Sequence, residues 1–150
     1  MATRVYLAAD HAGFELKEEI KKLLSTHGFE VSDLGAMRLD KDDDYPAYMR
    51  AAAEAVAKDL GSFGIIFGGS GEGEAIVANR VKGVRAAEYY GGALDIIKLS
   101  REHNDANILS IGARFVSRES AERAILLWLE TKFSNEERHV RRIKEIDGSI

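Results

Sequence analysis

Short apolar runs alternate with longer segments of helical periodicity along the whole chain. Runs of this kind, bounded by turn residues, are typical of β-strands. Strands that alternate with helices form parallel sheets whose faces the helices cover, so the pattern predicts an α/β fold. Strands are predicted over residues 5–9, 30–33, 64–67, 84–87 and 108–111.

Helical periodicity fills the intervals between the predicted strands. The first such segment carries its apolar residues on one face and is followed by Gly28, a residue type that often ends a helix. Pro46 stands where a first helical turn would begin, and Gly61 follows the alanine-rich segment after it. Helices are therefore predicted over residues 14–27, 47–60, 74–81, 92–101, 118–131 and 135–146.

The composition fits one globular domain over residues 1–150, since 45% of the residues are hydrophobic and 31% are charged. The formal net charge of -4 argues against general affinity for nucleic acid or an anionic membrane, although it permits a local basic site. The sequence has no cysteine, which excludes thiolate chemistry and fits a reducing cytosol. We find no signal-peptide core or membrane-spanning apolar stretch and expect a soluble, cytoplasmic protein.

A glycine-rich loop directly follows the predicted third strand. Glycines let the backbone approach a ligand, so that consecutive N–H groups converge on an anionic oxygen at a helix N-terminus. The carboxylate of Glu74 at the rim of this loop suggests a general base beside an oxyanion site. The alternative is an ordinary strand-to-helix turn with a solvated acid. The loop comprises Gly68, Gly69, Ser70, Gly71, Glu72, Gly73 and Glu74.

Two nucleotide-binding motifs fail at the position of Glu74. The spacing from Gly68 to Gly73 is that of a P-loop, but a P-loop has a phosphate-binding lysine at the next position. A dinucleotide-binding motif that begins at Gly69 would need a third glycine there. A nucleotide-binding module is therefore disfavoured.

Other polar residues follow the ends of predicted strands, which gather at one edge of a parallel sheet. Asp10 suits a helix N-cap about as well as a functional role, whereas the His11 imidazole suits contact with a phosphate or hydroxyl. Arg114 follows the fifth strand. The acidic run over residues 40–44 is most simply a solvated loop, because nothing nearby has the ligand spacing of a calcium loop.

Two groups of basic residues lie in the second half of the chain. His103 follows a predicted helix, where a charged helix end accounts for it without a functional role. Arg138 and Arg142 fall on one face of the last predicted helix. Paired guanidinium groups suit a phosphate monoester, and the alternative is a solvated basic face. Their coexistence with the glycine loop and two histidines favours function.

Seven separated segments resemble one family in their order along the chain: residues 10–13, 44–46, 69–73, 78–80, 83–86, 103–104 and 138–139. They are similar to the ribose-5-phosphate isomerase B and galactose-6-phosphate isomerase family. The resemblance implies a three-layer α/β/α Rossmann-like sandwich with a five-stranded parallel sheet. It also implies a homodimer or dimer of dimers, with no metal and no organic cofactor.

The family's roles carry over position by position. Glu74 matches the base, while another branch of the family uses a cysteine at the position of Gly68. Ser70 and the backbone of residues 71–74 would hold the enediolate oxygen, and His103, with Asp10, matches the ring-opening group. The segment with His103, Asn104 and Arg114 would reach into the neighbouring subunit's pocket. The implied substrate contacts are His11, Arg114, Arg138 and Arg142 at the phosphate and Tyr45, Gly69, Gly71, Gly73 and Asn104 around the sugar.

The implied activity is an aldose–ketose isomerase that interconverts ribose 5-phosphate and ribulose 5-phosphate. The sequence departs from the family pattern at Lys82, in place of a common proline, and at Glu72, a second loop acid that puts the choice of substrate in doubt. The alternatives are a six-carbon substrate, allose or galactose 6-phosphate, and a catalytically silent sugar-phosphate-binding protein. Glu72 either raises the pKa of Glu74 as a like charge or points into solvent.

Overall fold

Five parallel strands form one sheet in the order β2-β1-β3-β5-β4. The computed structural model describes residues 1–148. The strands are β1 Arg4–Ala9, β2 Glu30–Asp33, β3 Phe63–Gly68, β4 Ala86–Tyr89 and β5 Ile108–Gly112. The three inner strands are apolar almost throughout, because helices cover both faces of the sheet.

The helices are α1 Phe14–Thr26, α2 Tyr45–Lys58, α3 Glu72–Asn79, α4 Leu94–Glu102, α5 Arg118–Glu130 and α6 Glu137–Ile146. One face of the sheet packs against α1, α4 and α5 around the fully buried Trp128. The other face packs against α2 and α3 around Met49. The expected α/β/α sandwich is therefore confirmed. Within residues 1–148, no helix combines the length and the apolar character needed to cross a membrane.

Alternate residues of the inner strands supply the two cores. Leu7 and Phe67 point toward the side of Trp128, whereas Ala8 and Ile66 point toward the other layer. The strands end where this apolar alternation ends, and polar residues begin at the carboxyl edge of the sheet. Those residues form the candidate site.

Several element boundaries differ from the prediction. β4 begins at Ala86 rather than at residue 84, because the backbone N–H of Arg85 donates to the side chain of Asn107 instead of joining the ladder. α3 begins at Glu72, two residues earlier than predicted, directly after Gly71 with φ of 84°. The predicted start of the fourth helix at residue 92 moves to Leu94, since the glycine there adopts a positive φ.

A buried lysine ties α1 to the loop after β2. Lys17 is fully buried, and its Nζ donates to both carboxylate oxygens of Asp33, at 2.8 and 2.7 Å, and to the carbonyl of Ala36 at 2.7 Å. Lys21 donates to the same carboxylate at 2.8 Å. A buried charge is tolerated only when it is paired and hydrogen-bonded, and this network supplies both.

Candidate active site

The turn after β1 brings Asp10 to the carboxyl edge of the sheet. Its side chain is buried, and Oδ1 accepts the backbone N–H groups of Ala12 at 2.9 Å and Gly13 at 3.2 Å. Asp10 therefore closes the turn that leads into α1, as a capping residue would. A Cβ at Gly13 would collide with the backbone of Phe67, so this turn lies directly against the end of β3.

Glu74 lies in the first turn of α3 and is only 4% exposed. Burial raises the pKa of its carboxyl group, and the nearby charge of Asp10 adds to the rise. Backbone N–H groups of Glu74 and Gly71 partly oppose it, but the net direction is upward. A carboxylate with a raised pKa is a stronger base than one in water, which suits proton abstraction near neutral pH.

The glycines of the loop give neighbouring side chains room to approach. A Cβ at Gly68 would overlap the Glu74 carboxylate, and a Cβ at Gly73 would overlap the Tyr45 hydroxyl. The space beside Gly69 is bordered by the Arg114 guanidinium, whose Nη1 lies 3.2 Å from an ideal Cβ. The structure thus brings Glu74, Tyr45 and Arg114 together around the loop.

Hydrogen bonds to β5 and within the loop fix its shape. Ser110 Oγ, buried on β5, donates to the carbonyl of Gly71 at 2.7 Å. Ala113 N–H donates to the carbonyl of Gly68 at 2.8 Å. The exposed Ser70 accepts the backbone N–H of Glu72 through Oγ at 3.2 Å. The loop is therefore held in place by contacts within the chain, and preorganisation of this kind is the condition for an effective oxyanion site.

His11 is held by Asp43, a residue that the sequence did not single out. Asp43 Oδ1 lies 2.7 Å from His11 Nδ1 and accepts the His11 backbone N–H at 3.2 Å. The hydrogen bond to Asp43 raises the pKa of His11 above its ordinary value. The prediction that residues 40–44 form a solvated loop is wrong for Asp43, whose side chain is 4% exposed. Charge patterning carries no signal for this contact, which spans 32 residues.

A cationic cavity of about 450 Å³ opens beside His11. Arg114 and Lys41 contribute its positive charges, and Glu15 and Leu39 complete the wall. Such a cavity suits a phosphate group, because Arg and Lys donate to anionic oxygens at any physiological pH. Asp10, His11 and Asp43 also have ligand atoms within 4.8 Å of one another, a spacing compatible with a cation.

Glu72 faces Glu88 on β4 rather than the candidate base. Burial raises the pKa of Glu88 to about 7, and the charge and hydrogen bond of Glu72 contribute. Glu72 also lines a shallow cavity of about 360 Å³ with Ser70, Tyr90 and Phe115. The sequence marked Glu72 as unusual, but its partner on β4 was not predicted.

The remaining predicted residues lie at the opposite edge of the sheet. α4 leads back from the carboxyl edge to the amino edge, because β4 and β5 are parallel, and His103 follows its last residue. The His103 ring stacks on the buried His139 of α6, with centroids 4.2 Å apart. The backbone carbonyl of Asn104 accepts a hydrogen bond from Arg85 Nε at 2.9 Å. Arg138 pairs with Glu136 at 3.1 Å, and Arg142 is exposed one turn later.

The structure therefore brings the candidate residues together in two groups at opposite edges of the sheet. The first group comprises Asp10, His11, Tyr45, residues 68–74 and Arg114, and the second comprises His103, Asn104, Arg138 and Arg142. The sequence predicted that the segment with His103 and Arg114 reaches the pocket of a neighbouring subunit. For Arg114 this prediction is wrong. Its guanidinium borders the glycine loop of its own chain, because the turn after β5 lies at the same edge as the turn after β3.

Comparison with known proteins identifies the family. The Ribose/Galactose Isomerase family model matches residues 5–146. The chain belongs to this family. The resemblance drawn from the seven segments is therefore confirmed.

Members of the Ribose/Galactose Isomerase family resemble the chain over almost its whole length. Ribose-5-phosphate isomerase B of Mycobacterium tuberculosis is 46% identical over 140 residues, which cover 93% of this chain and 85% of that protein. The structure of ribose-5-phosphate isomerase B from Mycoplasma genitalium with bound ribulose-5-phosphate has a TM-score of 0.93 at 35% identity, covering 99% of this chain and 97% of that one. The Thermotoga maritima ribose 5-phosphate isomerase has a TM-score of 0.91 at 38% identity, covering 99% of both chains.

Proposed function

We propose that the protein interconverts ribose 5-phosphate and ribulose 5-phosphate through an enediolate. The buried Glu74 carboxyl, with its raised pKa, carries the proposal, because it sits at the glycine loop beside a cationic cavity. The Mycobacterium tuberculosis relative is named ribose-5-phosphate isomerase B, and the Mycoplasma genitalium neighbour holds ribulose-5-phosphate. Both names support the five-carbon substrate.

Glu74 is the proposed base. It removes the proton from C2 of the open-chain aldose and returns it to C1. The C1 oxygen gains negative charge and then a proton, while the C2 hydroxyl gives up its proton, so that C1 becomes the alcohol and C2 the carbonyl. A positioned base of this kind contributes roughly a hundredfold to ten-thousandfold in rate. Ser70 and the backbone N–H of Gly73 stabilise the enediolate oxygen, because the N–H groups of Gly71 and Glu74 already donate to the Glu74 carboxyl and that of Glu72 to Ser70. Each donor of this kind is worth roughly a hundredfold to a thousandfold.

The cationic cavity binds the phosphate. His11 and Arg114 contact the phosphate oxygens, and Tyr45 borders the sugar between the phosphate and the loop. Binding at the phosphate fixes C1 and C2 relative to Glu74, so that energy from the unreactive end of the substrate lowers the barrier. The negative charge of this end also keeps the substrate inside the cell, and we propose a cytoplasmic location.

We further propose a homodimer in which each complete site combines the first group of residues of one chain with the second group of its partner. α4 has nine residues and spans about 14 Å, so His103 at its end lies away from the glycine loop of its own chain, and α6 with Arg138 lies beside His103 because His139 stacks on it. A two-fold axis places the amino edge of one chain beside the carboxyl edge of its partner. His103 then opens the sugar ring with Asp10, while Arg138 and Arg142 complete the phosphate site.

Glu74→Gln tests the activity. Glutamine keeps the shape of the side chain but cannot accept the proton, so kcat should fall by about a hundredfold or more while inorganic phosphate still binds. Glu54→Gln, an exposed site on α2, is the matched control and should keep full activity. Unchanged turnover in Glu74→Gln would refute its role as base, and absence of turnover in the wild-type protein would favour a silent binding protein.

Mixed dimers test the shared site. Glu74→Gln and His103→Ala chains are each inactive alone, but a mixed dimer restores one intact site out of two. Random mixing should therefore recover about a quarter of the wild-type sites. No recovery, in a mixture whose exchange is verified by mass, would place both residues in one chain's site.

A six-carbon substrate is the second candidate. The cavity lined by Ser70, Glu72, Tyr90 and Phe115 lies beside the loop and offers space for a longer sugar. Comparing kcat/KM for ribose 5-phosphate, allose 6-phosphate and galactose 6-phosphate decides between the two candidates. A six-carbon sugar preferred by tenfold or more would replace the five-carbon proposal.

A further inference from the structure

Asp43 is a buried acid outside the residues assigned above. Its Oδ1 accepts two hydrogen bonds from one residue, the backbone N–H and the ring Nδ1–H of His11. Its Oδ2 is buried and has no hydrogen-bond partner among residues 1–148. An unpaired buried carboxylate is costly, so a positive charge on the adjacent imidazole offsets the burial of this side chain.

We propose that Asp43 is a positioning residue that acts through His11 on the substrate phosphate. The contact to Asp43 occupies Nδ1 and fixes the orientation of the ring, which leaves Nε2 as the nitrogen available to the cavity shared with Arg114 and Lys41. This inference rests on the proposed function, because it gives the cavity a phosphate as its ligand.

Both negatively and positively charged side chains surround His11. Asp43 and Asp10 favour the imidazolium, whereas Arg114 disfavours it. Lys41 and Glu15 face the same cavity with opposite charges. Without the charge of Asp43, Arg114 still opposes protonation of His11 and Asp10 is the remaining carboxylate that favours it. The pKa of His11 should then fall, so that more of the ring is neutral near pH 8.

A bound cation at this place is a different reading of the same residues. A separation of 2.7 Å between Nδ1 and Oδ1 is the length of a charge-assisted hydrogen bond and leaves no room for an ion between the two atoms. We therefore assign a proton to this contact, and dependence of phosphate binding on zinc or magnesium would overturn the assignment.

Asp43→Asn removes the charge and keeps an oxygen that accepts from His11. The dissociation constant of inorganic phosphate, measured by calorimetry, should rise about tenfold near pH 8, the loss of one charge-assisted contact. Near pH 5.5 the difference should largely disappear, because the histidine is then protonated without help. KM for ribose 5-phosphate should follow the same pattern, and kcat should fall far less than it does in Glu74→Gln.

Asp42→Asn is the matched control, because it removes the same charge from the exposed neighbouring residue. It should leave phosphate binding unchanged at both pH values. In a His11→Asn background, Asp43→Asn should have no further effect, since the proposed action passes through the ring. An equal effect of Asp43→Asn with and without His11 would overturn the proposal.

The titration of His11 can be monitored by nitrogen NMR in the wild-type protein, so this test does not depend on whether a variant folds. The expected result is a ring protonated at Nδ1 that stays cationic above the ordinary histidine range. A His11 that titrates at or below that range would overturn the inference. Neither the NMR titration nor the binding of inorganic phosphate requires turnover. Failure of this inference is therefore distinguishable from failure of the isomerase proposal, which the assay with sugar phosphates reports.

Discussion

The Glu74 carboxylate fills the space into which any side chain at Gly68 would project. Gly68 is the last residue of β3, and Glu74 lies in the first turn of α3. Because Gly68 has no side chain, the Glu74 carboxylate can be buried beside it. A glycine at position 68 is therefore required for Glu74 to occupy its position as the candidate base.

Gly68→Ala should displace the carboxylate and lower kcat by about a hundredfold, the usual cost of misplacing a catalytic group by about 1 Å. It should also destabilise the fold, since the loop is packed against β5. In a Glu74→Ala background the carboxylate that this methyl group would overlap is absent, so its effect on the unfolding midpoint should be smaller. Equal costs in both backgrounds would show that the two residues do not compete for space.

Asp10→Asn should shift the acid limb of the pH profile of kcat/KM. Burial is the main cause of the raised pKa of Glu74, and Asp10 contributes a like charge. The base is active when ionised, so activity rises with pH through its pKa, and removing the like charge should move this limb to lower pH. The asparagine oxygen can still accept from Ala12 and Gly13. A limb that stays in place would exclude coupling between the two acids.

Glu88→Gln should stabilise the protein at alkaline pH. The pKa of Glu88 is raised to about 7, mainly by burial and then by Glu72, so the folded state holds this proton more tightly than the unfolded state. Stability should therefore fall as pH rises from about 4.5 to about 7. The gain in unfolding midpoint of Glu88→Gln over wild type should be larger near pH 8 than near pH 5, whereas Glu54→Gln at an exposed site should show no such trend.

Asp33→Asn should cost about 3 kcal/mol or more in the free energy of unfolding, because it leaves the fully buried Lys17 without its main counter-charge. Burial alone would raise the pKa of Asp33, but hydrogen bonds from Lys17 and Lys21 outweigh it and lower the pKa. This stabilisation is present above the unfolded pKa of about 4 and is lost as pH falls through the lower folded value. Chemical denaturation at several pH values, with Asp42→Asn as control, measures both effects.

Local patterns predicted most of the fold. The order of strands and helices followed from periodicities that each span only a few residues, and the glycine loop followed from the joint need for close backbone approach and an acid. Errors were confined to element ends such as the start of β4, where the side chain of Asn107 intercepts a backbone N–H. No property of the local sequence around residue 84 reports that interception.

The sequence by itself determined the α/β architecture, the family and the residue types available for base, oxyanion and phosphate chemistry, since these depend on short motifs in a fixed order. Only the tertiary structure decided that Asp43 turns inward to His11, that Glu72 faces Glu88, and that His103 lies at the far edge from Glu74. The physical reason is that burial, pairing and the choice of sheet edge arise from contacts between distant segments. Asp43 and His11, 32 residues apart, become neighbours only after the loop preceding α2 folds against the turn that leads into α1.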